Sequence, residues 1–151
     1  MGTAATGTGS PGHPPIRVGV VEESELVTLG VDGMLRRHAD RAALTAPRGY
    51  RSLEIDVLLC DPVGRAVDLE GYLDEVCAAT TARVLAFTWT TDAATARRAV
   101  AAGAHGWLSK TSSSGDLVAA VEAVHRGEQV AATAALLGPP GPSRTGTTRP
   151  S

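Results

Sequence analysis

The sequence predicts an α/β domain in which helices cover both faces of a five-stranded parallel sheet. Three observations support this fold class. Short β-prone apolar runs alternate with segments of helical periodicity along the chain. The run DVLLC at 56–60 has no polar alternation, as expected of a strand covered on both faces. The 151 residues suffice for one domain with a substantial core.

The first half of the chain contains three predicted strands and one complete helix. IRVGVV at 16–21 is a β-prone run, and apolar residues then recur at helical intervals over 26–35. AALTA at 42–46 predicts a weak strand, and 56–60 predicts a strong one. Only nine residues, 47–55, separate these two strands. A helical crossover usually takes a dozen residues or more, so we expect the second helix to be shortened to one turn or absent.

In the second half of the chain, predicted helices and strands alternate regularly. Apolar residues at i, i+3, i+4 and i+7 predict a helix over 69–76, and RVLAFT at 83–88 predicts a strand. An Ala-rich helix follows over 92–103, with Asp at its start and Gly at its end, where caps belong. GWLS at 106–109 predicts the fifth strand. A last helix covers 117–124, stopped by a glycine three residues later.

The ends of the chain differ in composition from its body. The stretches 1–15 and 138–151 are dominated by Gly, Pro, Thr and Ser, and they are too poor in apolar groups to offset the entropy of ordering. We therefore expect disordered tails at 1–15 and 138–151, a folded domain at 16–130, and a short C-terminal extension at 131–137.

Composition and charge argue against several classes of function. The formal net charge is −2, and no basic face is evident, so we expect no direct nucleic-acid binding. No apolar run reaches membrane-helix length and the start of the chain lacks a signal pattern, so we expect no membrane segment and a cytoplasmic location. Cys60 and Cys77 have no metal-ligand or disulfide spacing, and Cys60 is predicted to be a buried hydrophobe.

Reactive side chains follow four of the predicted strands. Glu22 and Glu23 follow the first, Asp61 the third, Thr88 ends the fourth, and Lys110 follows the fifth. Ligands of open parallel sheets bind beyond the carboxyl ends of the strands, so these groups are expected at one edge. Three neighbouring carboxylates would repel one another unless a cation lay among them, and oxygen ligands suit Mg²⁺. A carboxylate beside a metal, an ammonium and a hydroxyl predicts a phosphoryl-transfer site.

Four segments resemble the receiver domain of bacterial two-component response regulators, in the subgroup that usually carries a LuxR-type helix-turn-helix output. They are VGVVEESELVTLGVDGML, DVLLCDP, RVLAFT and AVAAGAHGWLSKTSSSGDLVAAVEAVHRGE. The resemblance spans 16–130, and AGAHGWLSK is its most specific part. It implies a flavodoxin-like (CheY-like) three-layer fold and a signalling protein that is not an enzyme in the usual sense.

The resemblance also implies roles for individual residues. Asp61 would be the phosphoacceptor, and a histidine kinase would be the donor. Glu22, Glu23 and Asp61, with the backbone carbonyl of Val63, would hold Mg²⁺.

The signal would then be transmitted by three further residues. Thr88 and Lys110 would bind the phosphoryl group, and Trp107 would swing inward when Thr88 moves. The surface that changes would be the fourth helix, fifth strand and fifth helix, through which the chain would form a homodimer or heterodimer. Taken from the sequence alone, Trp107 is equally well a static core residue.

Two departures from the family pattern leave alternatives open. The acidic pair usually contains Asp but is Glu22 and Glu23 here, and the Met-Pro that normally follows the phosphoacceptor is absent, with Pro62 directly after Asp61. The alternative to phosphotransfer is a pseudo-receiver, a protein-interaction module that takes no phosphate. A third hypothesis is a flavodoxin-like binder of a small anion. After residue 130 come only AATAALL and the predicted disordered tail. We therefore expect either a stand-alone receiver or a chain that has lost a DNA-binding half, with any effect on transcription acting through a partner.

Overall fold

Five parallel strands form one sheet in the computed structural model, which describes residues 12–45, 54–90 and 92–130. The elements in chain order are β1 (Ile16–Val20), α1 (Glu25–Arg36), β2 (Ala42–Leu44), β3 (Val57–Cys60), α2 (Leu69–Ala79), β4 (Arg83–Thr88), α3 (Ala93–Ala101), β5 (Gly106–Ser109) and α4 (Ser114–His125). The predicted α/β class and CheY-like fold are confirmed.

The described residues do not test every expectation of the sequence. The shortened second helix would fall largely on 46–53, which lie outside the described part, as do most of the tail 1–15 and all of 131–151. The predicted fourth and fifth helices are α3 and α4 in the numbering used here.

The strand order β2-β1-β3-β4-β5 places the reversal of chain direction across the sheet between β1 and β3. From β1 the chain moves outward to β2, then returns past β1 to β3 and continues through β4 to β5. Ligands of such sheets bind beyond the carboxyl ends of the strands at this reversal. The topology therefore assigns the functional edge to the segments after β1, β3, β4 and β5.

Each described helix begins at a side chain that accepts a hydrogen bond from a backbone N–H three residues later. This contact satisfies one of the N–H groups that have no partner within the helix. The capping residues are Ser24, Asp68, Asp92 and Ser113. Each cap lies shortly after a strand or loop on the functional edge, so the helix starts are fixed close to the site.

Two apolar layers enclose the sheet. Val57 and Leu59 of β3 point to the layer that contains α1 and α4, whereas Leu58 and Cys60 point to the layer of α2 and α3. All four are fully buried, which confirms that this strand is covered on both faces. Burial raises the pKa of the Cys60 thiol to about 12, as fits the predicted small buried hydrophobe. No helix in the described ranges combines the length and the apolar character needed to cross a membrane.

Candidate functional site

Three of the predicted site residues meet in one cluster at the carboxyl edge of the sheet. The Lys110 ammonium donates hydrogen bonds to Asp61 Oδ2 at 2.9 Å and to Glu23 Oε1 at 3.0 Å, and it lies 2.9 Å from Glu23 Oε2. The side chains of Lys110, Glu23 and Asp61 are only 5%, 7% and 14% exposed. We call these three residues the lysine cluster.

Backbone pairing that continues past the strand ends holds the lysine cluster in place. The N–H of Val21 donates to the Leu59 carbonyl at 3.1 Å, extending the pairing of β1 with β3 toward Glu23. The N–H of Lys110 donates to the Thr88 carbonyl at 2.8 Å and so extends the pairing of β4 with β5. The positions of the charged side chains therefore follow from the sheet register.

The lysine cluster keeps Lys110 charged and carries excess negative charge. Burial alone would lower the pKa of Lys110, but hydrogen bonds to Asp61 and Glu23 raise it above its ordinary value. Two carboxylates and one ammonium leave a formal charge of −1. The ammonium also lies 5.7 Å from the ring centroid of Trp89, an exposed residue, so the indole partly covers it.

A tight turn orients the Asp61 carboxylate. Its Oδ1 accepts a hydrogen bond of 2.9 Å from the N–H of Val63, while Oδ2 faces Lys110. Gly64 closes the turn with φ of 77°, a left-handed conformation that favours glycine. The Val63 carbonyl belongs to this same turn, two residues from the carboxylate.

The Glu22 carboxylate lies in a different contact set. Its Oε1 accepts a hydrogen bond of 3.0 Å from the Tyr72 hydroxyl and lies 3.8 Å from Arg65 Nη1. Arg65 also donates from Nε to the Asp61 carbonyl at 2.7 Å and from Nη2 to the Glu22 carbonyl at 3.4 Å. Its guanidinium carbon lies 4.8 Å from the Tyr72 ring centroid. We call Arg65, Tyr72 and Glu22 the arginine clamp.

Sequence reasoning missed Arg65, Tyr72 and Trp89. Tyr72 fitted the apolar face of its helix, which hides the hydroxyl contact, and Trp89 follows the strand that ends in Thr88. A signal for Arg65 was present, because a basic residue stands in the VGRAVD segment that replaces the family's Met-Pro.

The predicted switch residues are both buried. Thr88 is 1% exposed, and its hydroxyl accepts a hydrogen bond of 3.4 Å from the N–H of Thr90. Trp107 is fully buried in the layer of α2 and α3, in the apolar cluster that also contains Leu73 and Ala96. The indole therefore occupies the protein interior in this structure.

The donor set of the lysine cluster suits a divalent cation. Among the described residues, no group of three or more His, Cys, Asp or Glu side chains is placed to hold a metal. Mg²⁺, however, is commonly bound through one or two carboxylates, with water completing its octahedron. Glu23 and Asp61, with their excess negative charge and the Val63 carbonyl nearby, fit that requirement.

Comparison with solved structures finds bacterial response regulators. A LuxR-family two-component response regulator from Aurantimonas sp. SI85-9A1 is 27% identical, with a TM-score of 0.62, and the match covers 76% of this chain and 87% of that one. A LuxR-family DNA-binding response regulator from Silicibacter pomeroyi is 20% identical, with a TM-score of 0.56 and coverage of 76% and 94%. The Vibrio cholerae chemotaxis protein CheY4 is 18% identical, with a TM-score of 0.56 and coverage of 73% and 98%.

The last two structures show the fold alone. No family model matches the chain, and no curated protein matches it.

Proposed function

We propose that this chain, a receiver domain of the two-component response-regulator type, accepts a phosphoryl group on Asp61 from a histidine kinase in the presence of Mg²⁺. One observation carries the proposal. Asp61 points one carboxylate oxygen at a nearly buried ammonium that is shared with Glu23. A nucleophilic carboxylate beside a fixed cation is what phosphoryl transfer to an acid requires.

The reaction forms one bond and breaks one bond at phosphorus. A carboxylate oxygen of Asp61 attacks the phosphorus of the kinase phosphohistidine, the N–P bond breaks, and the imidazole leaves with the bonding electron pair. An acyl phosphate results. Lys110 balances charge on the phosphoryl oxygens, and Glu23, Asp61 and the Val63 carbonyl would hold Mg²⁺, which when bound neutralises the remaining charge.

Thr88 and Trp107 would respond to the phosphorylation of Asp61. The Thr88 hydroxyl stands at the end of β4, next to the strand that leads to Lys110, so it would donate to a phosphoryl oxygen. A shift of Thr88 would then change the space available to Trp107, whose register partner Ala86 lies two residues before Thr88 on β4. The face formed by α3, β5 and α4 would then change its contacts with a second copy or with another partner.

Exposed apolar side chains mark the surface where the kinase would dock. The exposed large hydrophobic residues of the described part are Leu26, Leu29, Val67 and Trp89, with Leu26 81% and Trp89 61% exposed. They lie on segments that follow β1, β3 and β4, three of the strands whose carboxyl ends form the functional edge.

Acetyl phosphate provides the direct test. The wild-type chain, incubated with acetyl phosphate and Mg²⁺ and weighed intact, is expected to gain one phosphoryl group, and Asp61→Asn is expected to gain none. Asp74→Asn is the matched control, because Asp74 is an exposed acid on α2 and should leave the gain unchanged. An equal gain in Asp61→Asn would refute the assignment of the phosphoacceptor.

A pseudo-receiver is the second candidate. The arginine clamp favours it, because Glu22 is held by Arg65 and Tyr72 and does not join the lysine cluster. In this reading the chain acts in transcriptional regulation through a partner and without a phosphate. No mass gain in the wild type, together with partner contacts that Asp61→Asn retains, would establish it.

A further inference from the structure

We propose that Arg65 withholds Glu22 from the cation site and so lowers the affinity of the receiver for divalent cations. The inference rests on the cation site of the proposed function and concerns how that site is regulated. Arg65 acts here as a positioning residue, because it contacts Glu22 and the backbone of Asp61, and it is not itself a ligand.

The contacts of Arg65 join the two loops that form the site. Its Nε donates to the Asp61 carbonyl after β3, at 2.7 Å, and its Nη2 donates to the Glu22 carbonyl after β1, at 3.4 Å. Nη1 faces the Glu22 carboxylate at 3.8 Å. Three nitrogens of one planar guanidinium thus face three oxygens. The single nitrogen of a lysine ammonium could not reach all three positions.

Glu22 is held at both its backbone and its side chain. Its φ of 52° is the left-handed conformation. For any residue other than glycine this conformation costs free energy, and it persists only where the surroundings fix it. The contact of its carbonyl with Arg65 supplies part of that fixation. The Tyr72 hydroxyl holds the carboxylate from the side of α2, away from the ammonium of Lys110.

Two effects on cation binding follow from this arrangement. The carboxylate of Glu22, 55% exposed, is engaged by the Tyr72 hydroxyl and faces Arg65 at 3.8 Å, so it adds less to the attraction of Glu23 and Asp61 for a cation. The guanidinium also places a fixed positive charge beside Asp61, which repels a divalent ion. Release of the clamp should therefore tighten cation binding, and the gain should depend on Glu22.

A double-mutant cycle separates these effects. Mn²⁺, which suits the same oxygen ligands as Mg²⁺, is titrated and the free ion is followed by electron paramagnetic resonance. Arg65→Gln is expected to bind Mn²⁺ about tenfold more tightly than wild type, within the range of couplings between contacting residues. Glu22→Gln should change the wild-type affinity less than about twofold, but it should remove most of the gain in the Arg65→Gln background.

Two further variants control the cycle. Arg97→Gln removes an exposed arginine of α3 and should leave the affinity unchanged. Tyr72→Phe removes only the hydroxyl that holds Glu22, so it should tighten binding by a smaller factor. Tyr72→Phe also keeps the proposal testable if Arg65→Gln fails to fold.

Three results would overturn the proposal. The first is an affinity for Mn²⁺ that is unchanged in both Arg65→Gln and Tyr72→Phe. The second is a Glu22→Gln exchange that lowers the affinity equally in the wild-type and Arg65→Gln backgrounds, and the third is no Mn²⁺ binding by any variant. The mass assay with acetyl phosphate is independent of this cycle. If the cycle behaves as expected and no phosphoryl group is gained, the proposed function fails and the inference on Arg65 stands. If a phosphoryl group is gained but the cycle does not behave as expected, the inference on Arg65 fails and the proposed function stands.

Discussion

Lys110 is the residue on which the arrangement of the candidate site depends. It is the shared counter-charge of Glu23 and Asp61, and all three side chains are largely removed from water. A buried charge that loses its partner is costly, because its desolvation is no longer compensated. Lys110 therefore fixes the orientation of Asp61 and also makes the close approach of two carboxylates tolerable.

His105 is the residue through which pH should act on stability near neutrality. Burial, with a smaller contribution from the charge of Arg83, lowers the pKa of His105 below its ordinary value of 6.5. Its Nδ1 accepts a hydrogen bond of 2.9 Å from the N–H of Val84, which requires that nitrogen to be unprotonated. The folded state thus favours the neutral ring.

The sign of the pH effect follows from this lowered pKa. Below pH 6.5 the unfolded chain binds a proton that the folded chain resists, so the free energy of unfolding is expected to fall as the pH drops from 6.5 through the pKa of the folded state. His105→Asn should lose this dependence, whereas His13→Asn, which changes an exposed histidine, should keep it. Urea unfolding at several pH values between 7.5 and 5.5 measures how the free energy of unfolding changes with pH in wild type and in both variants. Equal slopes in wild type and His105→Asn would contradict the assignment.

At the scale of the elements, the sequence was sufficient for the described strands and helices because each has a local cause. Branched and apolar runs formed the strands, and spacing and capping residues set the helices. The meeting of Glu23, Asp61 and Lys110 was also predictable, since parallel strands end at one edge. The arginine clamp was not, because its contacts span 43 and 50 residues of chain and depend on side-chain direction.

The strand β5 packs against the segment that follows α4, and Gly106 is where they meet. A Cβ on Gly106 would lie 2.8 Å from Val130 Cβ, closer than such atoms approach, and 3.1 Å from Leu85 Cδ1, which is a tight contact. Val130 is 2% exposed, so it has little room to move within the layer. The missing side chain of Gly106 thus lets the chain after α4 close over the fifth strand.

Replacement of Gly106 tests this close approach. Gly106→Ala is expected to lower the free energy of unfolding by about 1–3 kcal/mol, as overpacking of a core does. The double variant Gly106→Ala with Val130→Ala should lose less than the sum of the two single variants. Gly33→Ala is the matched control, because a Cβ there meets nothing within 4 Å and the exchange should stabilise α1 by up to about 1 kcal/mol. Chemical denaturation measures the free energy of unfolding of the two single variants, the double variant and the control. If the losses of Gly106→Ala and Val130→Ala simply add in the double variant, the packing argument is contradicted.

At the scale of the whole molecule, the sheet connects the charged edge to the face of α3, β5 and α4. Thr88 and Ser109 are register partners on β4 and β5, and Trp107 lies opposite Ala86 on the same two strands. We therefore expect a displacement at the end of β4 to reach the neighbours of the indole. Close packing makes such a core respond by discrete rearrangement.

The fluorescence of Trp107 should report this coupling. The chain contains two tryptophans, so Trp89→Phe leaves Trp107 as the single tryptophan. Its full burial predicts weak quenching by acrylamide before phosphorylation. Addition of acetyl phosphate and Mg²⁺ is expected to shift the emission of Trp107 in step with the mass gain, and Thr88→Val in the same background should abolish the shift while the mass gain persists. Constant emission in a fully phosphorylated chain would show that Trp107 is a static core residue, and the change of surface would then have to travel by another route.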